Sequence, residues 1–212
     1  MRHRIRTARW TEMDHVAGMI AAALYPTPLG AWLVPDLDQR GKVLAAVTKI
    51  WIEHAMFYGD IYLSADGGIT AAAVCFHRYR PLPPPANYPT RLADAAGPHT
   101  NQFAALDNII ANNQPTEAHY HLAYLAVHPH HQRSRLGTAL MTHLRSQLDG
   151  IELPSWTMTI PDGLRLLARS GYTAQPAITL ANGPALHPMS HDIPHRDGST
   201  TSTTHYRQAP QG

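Results

Sequence analysis

Histidine, arginine and serine crowd one short stretch of the chain, "AVHPHHQRSRLGTALMTHL", residues Ala126 to Leu144. An apolar run enters it and an amphipathic pattern leaves it, so its polar centre lies where a strand becomes a helix. Such a junction favours anions. The first turn of a helix has N–H groups without intrahelical partners, and the dipole adds about half a positive charge there. In "QRSRLGTA", Arg133, Arg135 and the Ser134 hydroxyl can supplement those amides, and Gly137 permits close backbone approach. On spacing alone two readings stand, a seat for a phosphate-bearing ligand or a surface turn with solvated arginines.

Just upstream, "HYHLAYLAV" holds His119 and His121. A strand's period of two puts both on one face. With an ordinary pKa of about 6.5, either ring can accept a proton near neutral pH. Tyr124 adds a hydroxyl to the same strand. The plainer alternative is packed or hydrogen-bonded histidines and a core tyrosine. Histidines at 119, 121, 128, 130 and 131 invite a metal, yet one pair lies on the strand and three lie in the loop beyond. Zinc needs three or four converging ligands, so no metal is expected. Cys75 is the only cysteine and sits in an apolar run. It reads as an inert core thiol, and a lone cysteine suits a reducing cytoplasm.

The elements that must position these groups show as patterns. "RIRTAR" reads as a first strand. Thr11 and Asp14 have capping-box spacing before a helix with Val16, Ile20 and Leu24 on one face. A second helix carries an inner stripe of Val43, Val47, Ile50, Trp51, His54 and Tyr58, with Gly59 closing it. Two β-prone runs flank Asp66-Gly67-Gly68 as a hairpin. "RPLPPPANYP" reads as an extended surface loop, and "TNQFAALDNIIANNQ" as a helix. Leu136, Leu140, Leu144 and Leu148 then repeat every four residues up to Asp149-Gly150. A strand "SWTMTI", a short helix ending at Gly171 and a final hairpin complete the order. The class is mixed α/β (α+β), with residues 1–191 as one domain and 192–212 as a disordered tail.

Composition narrows the function. Of 212 residues, 17 are Lys or Arg against 15 Asp or Glu, giving a formal charge of +2. That balance makes no case for nucleic acid or a membrane surface as partner. The longest apolar run, Val16 to Leu24, is too short to span a bilayer.

The stretch "VHPHHQRSRLGTALM" resembles the acyl-CoA pyrophosphate-binding motif of the GNAT superfamily of N-acetyltransferases, Q/R-x-x-G-x-G/A. Gln132 and Gly137 match its first and last positions. "LAVHP" resembles the family strand whose backbone pairs with the pantetheine arm, here through Leu125 and Val127. "RLLARSGY" is similar to the later helix and strand start. The resemblance spans about residues 4–191, and the layout is particularly similar to the puromycin N-acetyltransferase-like branch. Three positions depart from the pattern. Arg135 stands at the motif's first glycine, Gly163 at a frequent asparagine, and Leu167 at the tyrosine that often protonates the departing thiolate.

The resemblance implies the GNAT fold, a mostly antiparallel mixed sheet of about six to seven strands flanked by helices. It implies acetyl-CoA as cosubstrate, held by Leu125, Ala126, Val127, Gln132, Arg133, Ser134, Arg135, Leu136, Gly137, Thr138 and Ala139. His121 falls where several members carry the base, with His119 as relay or substrate contact and Tyr124 as a replacement acid. Tyr25, Trp32 and Tyr79 fall where the acceptor should enter. The implied function is N-acetylation of a small-molecule amine in a cytoplasmic monomer or homodimer, by direct transfer in a ternary complex. The alternatives are a catalytically silent acyl-CoA-binding or regulatory module, and an O-acyltransferase or other acyl-donor variant.

Overall fold

The computed structural model of the chain describes residues 3–64, 68–150 and 152–192. Seven strands form a continuous sheet in the order β1 (Ile5–Thr7), β2 (Gly59–Ser64), β3 (Ala71–Arg78), β4 (His119–Val127), β5 (Ser155–Thr159), β8 (Ala185–His191) and β6 (Thr173–Ala174). A two-residue β7 (Ile178–Thr179) pairs with β8 off this path. Every pairing is antiparallel except β4 with β5. This is the expected mixed, mostly antiparallel sheet.

Helices cover both faces because apolar residues recur at helical spacing. On one face α6 (Leu136–Leu148) buries Leu136, Leu140, Leu144 and Leu148 beside Tyr120, Leu122 and the α7 (Pro161–Arg169) residue Leu167. On the other, Val16 and Ile20 of α1 (Met13–Leu24) and Ile52 of α3 (Leu37–Tyr58) pack on Leu63, Val74 and Phe76. A third cluster joins α2 (Pro28–Leu33), α3, α4 (Tyr88–Ala96) and α5 (Thr100–Asn113) through Leu33, Leu44, Leu92 and Phe103. Fully burying a Leu or Phe side chain is worth about 1.5–3 kcal/mol, so these contacts carry much of the stability.

Several local expectations change. The first helix does not start on a Thr11–Asp14 box. Glu12 instead accepts from the Arg9 N–H at 2.8 Å and from the Arg6 guanidinium at 2.6 and 2.8 Å, after a short 3-10 turn at Trp10–Glu12. Tyr58 is exposed rather than part of the inner stripe. α2 and α4 were not legible as helices, and Pro89 lies in the first turn of α4 rather than in a loop. Asp66 and Gly67 of the hairpin turn lie outside the described residues, although Ser64 and Ala71 pair across it. The tail expected over 192–212 likewise lies outside them beyond Asp192.

Buried Arg40 ties α2 to α3 by donating to the backbone carbonyls of Val34 at 2.7 Å, Pro35 at 2.9 Å and Tyr25 at 3.2 Å. Gly59 closes α3 as expected, as its C-cap. It opens β2 in extended conformation, and a Cβ there would lie 1.8 Å from the Cys75 carbonyl oxygen. Close approach of β2 to β3, rather than backbone freedom, requires this glycine. Gly59→Ala should therefore destabilise the chain by about 2–3 kcal/mol in urea unfolding. An unchanged midpoint would show that the two strands can separate at no cost.

Candidate active site

β4 changes phase midway. Val74 opposes Tyr124 while Cys75 opposes Leu122, leaving Ala123 as the extra residue of a β-bulge. Before it, Tyr120 and Leu122 face α6; after it, Leu125 and Val127 do. Strict alternation would have put Tyr124 on the α6 face. The bulge turns it instead toward α1 and α3.

The same region loses a neighbour. β5 pairs with β4 only at Tyr120, His121 and Leu122, and the Thr157 hydroxyl donates to Leu122 O at 2.7 Å at the last paired position. On the far side, the His128 N–H donates to Thr70 O at 2.8 Å. Alternation from His128 aims the N–H and C=O groups of Leu125 and Val127 toward the side that β5 has left. Backbone groups of this kind need a partner, which an extended amide-bearing ligand can supply.

A cavity of about 1320 Å³ opens along this edge. At one end stands the loop before α6. Arg133 and Arg135 both hold left-handed backbone, with φ of 62° and 65°, and Arg135 is the N-cap of α6. Arg135 thus holds a backbone shape that glycine adopts without strain. Arg133, Arg135, Arg145, Arg165 and Arg169 all line the cavity, and none forms an ion pair with a described residue. Ser134 turns inward on its own loop, donating to His131 O, and is not on the wall. Gln132, Leu136, Gly137 and Thr138 are on the wall and Ala139 is not. Gly137 admits the side chain of Leu166, which would lie 2.8 Å from a Cβ. Gly163 has a similar reason, since a Cβ there would meet the Thr159 hydroxyl at 2.1 Å. Leu167 is buried in the core under α6.

The rest of the wall is aromatic and carries two acids, Asp162 of α7 and Asp107 of α5. Trp51 meets Tyr88 and Phe76 edge-on at centroid distances of 5.1 and 6.1 Å. The Tyr88 hydroxyl donates a short hydrogen bond to Asp107 of α5. Burial pushes the Asp107 carboxyl up to about 6, with the Tyr88 bond opposing. Burial and then the Asp107 charge raise the pKa of Tyr124, so its phenol stays protonated at neutral pH. Asp107 and Tyr88 were missed in the sequence. The signal was there, because Asp107 lies four residues after Phe103 and three before Ile110 on an apolar helix face.

The two strand histidines part company. His121 lines the cavity at 5% exposure, and its Nδ1 is buried without a hydrogen-bond partner. Burial, then the charges of Arg78 and His119, push its pKa down to about 3. His119 lies off the wall with both ring nitrogens engaged, by Glu117 O at 2.7 Å and Gln114 Nε2 at 3.0 Å. Tyr25, Trp32 and Tyr79 also lie away from the cavity. The Tyr25 hydroxyl donates to Leu37 O, the Trp32 Nε1 donates to Ala181 O, and Tyr79 stacks on His77. The aromatic residues on the cavity wall are Trp51, Phe76, Tyr88 and Tyr124. No group of three or more His, Cys, Asp or Glu able to hold a metal occurs among the described residues. No helix there is long and apolar enough to cross a membrane.

Residues 103–153 match the model of the Acetyltransferase (GNAT) family. No curated protein matches the chain in sequence. Among solved structures, a histone acetyltransferase HPA2-related acetyltransferase from Corynebacterium glutamicum superposes with a TM-score of 0.71 at 18% identity, over 92% of this chain and 99% of that one. An agmatine N-acetyltransferase gives 0.58 at 15%, over 91% and 100%. The polyamine N-acetyltransferase of Drosophila melanogaster gives 0.56 at 15%, over 90% and 99%. These likenesses establish the GNAT fold.

A non-glycine residue in left-handed backbone is strained by about 1–2 kcal/mol. Arg135→Gly should therefore raise unfolding stability by about 1 kcal/mol, while Arg135→Ala leaves it near the starting value. Equal stability of the Gly and Ala variants in urea titrations would show that this turn is unstrained.

Proposed function

We propose that the chain is an acetyl-CoA-dependent N-acetyltransferase that acetylates a primary amine of a small molecule by direct transfer in a ternary complex. One observation carries this reading. A cationic loop at a helix N-terminus leads along an unpaired strand edge into a cavity that holds a carboxylate. The match of residues 103–153 to the GNAT model supports it, because that segment includes both the strand and the loop.

In this reading Arg133, Arg135 and the first amides of α6 hold the pyrophosphate, with Gln132 and Thr138 beside it. The backbone of Leu125 and Val127 pairs with the pantetheine arm, which brings the thioester toward the bulge. The acceptor lies against Trp51, Tyr88 and Tyr124. Asp107 removes a proton from the ammonium, since a base works best with a pKa near the working pH. The neutral nitrogen attacks the thioester carbonyl, and backbone N–H groups of the open β4 edge stabilise the oxyanion. The C–S bond then breaks, the nitrogen sheds its remaining extra proton to water, and the Tyr124 hydroxyl gives its proton to the thiolate before regaining one from solvent. That role replaces the acid missing at Leu167. His121 stays neutral in the cavity wall. His121 as the base is the rival assignment, disfavoured by its low basicity. The sequence resemblance to the puromycin N-acetyltransferase-like branch favours an amine on a natural product or antibiotic, in a cytoplasmic setting.

Thiol release from acetyl-CoA, followed over a panel of primary amines, tests the reading. Turnover is expected, and its absence with every amine would favour the silent acyl-CoA-binding alternative that Leu167 suggests. With an accepted amine, kcat/KM should rise with pH through about 6 as Asp107 loses its proton. Asp107→Asn should lower the rate by about 100-fold or more and abolish that limb. His121→Ala should keep the limb. The reverse pattern would return the base to His121.

A further inference from the structure

Arg78 is a charge in the cavity that acetyl transfer does not use. It ends β3 opposite His119, half-buried, on the face that also carries Val74 and Phe76. It lines the cavity wall. Its Nε is buried with no hydrogen-bond partner, and no described carboxylate forms an ion pair with it. The titratable rings that sense its charge are His54 of α3 and His119 and His121 of β4, and all three are held toward the neutral form, mainly by burial. Glu53, the acid next to His54, is already engaged by Arg91 at 2.6 Å. Asp107 is engaged by Tyr88.

A half-buried guanidinium without a counter-charge is partly stripped of water and gains from an anion that completes it. The cofactor's pyrophosphate is not that anion. β4 runs from His119 beside Arg78 to Val127 at the loop before α6. At about 3.3 Å per residue this separates the two ends by roughly 25 Å. Arg78 therefore lies at the acceptor end.

We infer that Arg78 is a specificity-determining residue that binds a carboxylate of the acceptor, so that the acceptor is an aminocarboxylic acid rather than a simple amine or a polycation. The inference rests on the transfer reading above. Its Nε is enclosed, so the two terminal nitrogens are the donors left for a ligand, and they form a fork that matches a carboxylate's two oxygens. The amine would lie toward Asp107 and Tyr124, nearer the thioester. Phe76, Trp51 and Tyr88 leave an apolar aromatic wall for what joins the two ends.

Matched probes test this: phenylalanine with phenethylamine, tryptophan with tryptamine, and 5-aminovalerate with 1-aminopentane. Thermal shifts of the full chain with CoA present and rates of thiol release from acetyl-CoA are read for each pair. The carboxylate member of at least one pair should be preferred about tenfold or more in kcat/KM and should raise Tm at millimolar concentration. Arg78→Gln should erase that preference, and Arg78→Lys should keep part of it. Arg78→Gln removes an unpaired charge and should fold at least as well, which its Tm checks. A preference for the decarboxylated members, or one unchanged in Arg78→Gln, would overturn the inference. If amines are acetylated while no aminocarboxylate binds, the inference fails and the transfer reading stands. If acetyl-CoA itself produces neither shift nor turnover, both fail.

Discussion

The parting of β5 from β4 is the constraint on which the site depends. The two strands pair for three residues and stop where Thr157 bonds Leu122. β5 stays with β8 along its whole length. Just past the last shared residue, the bulge at Ala123 resets the alternation of β4. That one extra residue turns the Leu125 and Val127 backbone to the open side and Tyr124 into the cavity. Without it, the unpaired edge would offer the backbone of Tyr124 and Ala126, and the tyrosine would point into the core under α6.

Charge is distributed along this edge with little internal compensation. Arginines rim the end near α6, Asp107 sits in the middle, and Arg78 closes the far end. Burial strengthens each interaction by lowering the local dielectric, and it raises the penalty for any group left alone. It therefore moves Asp107 toward neutral-pH basicity while it strips basicity from His121. One physical cause thus separates two groups that residue type alone would rank the other way round.

Much of the fold was legible because periodicity survives in a single sequence. The leucine repeat of α6, the apolar β4 and the phosphate-type junction between them are all local patterns. The short α2 and the proline-led α4 were not, since Pro28 and Pro89 read as breaks although proline suits a helix's first turn. Spacing pointed to the loop and the family resemblance to His121, both on the cavity wall, but the bulge leaves no mark in the residue pattern. Sequence likewise could not tell Trp51 in a helix stripe from a core residue, nor see that Tyr25, Trp32 and Tyr79 are occupied elsewhere. Those distinctions are set by tertiary packing. Arg135 shows the converse, a departure in residue type that holds a backbone shape suited to glycine.

The most direct measurement is a calorimetric titration of the chain with acetyl-CoA, CoA and desulfo-CoA. The account predicts saturable one-to-one binding of all three, because the pyrophosphate and pantetheine contacts do not depend on the sulfur. Affinity should fall with added salt, since arginines at the cavity mouth are screened. No binding of any of the three would contradict the assignment of the open β4 edge and the arginine loop as the cofactor's seat.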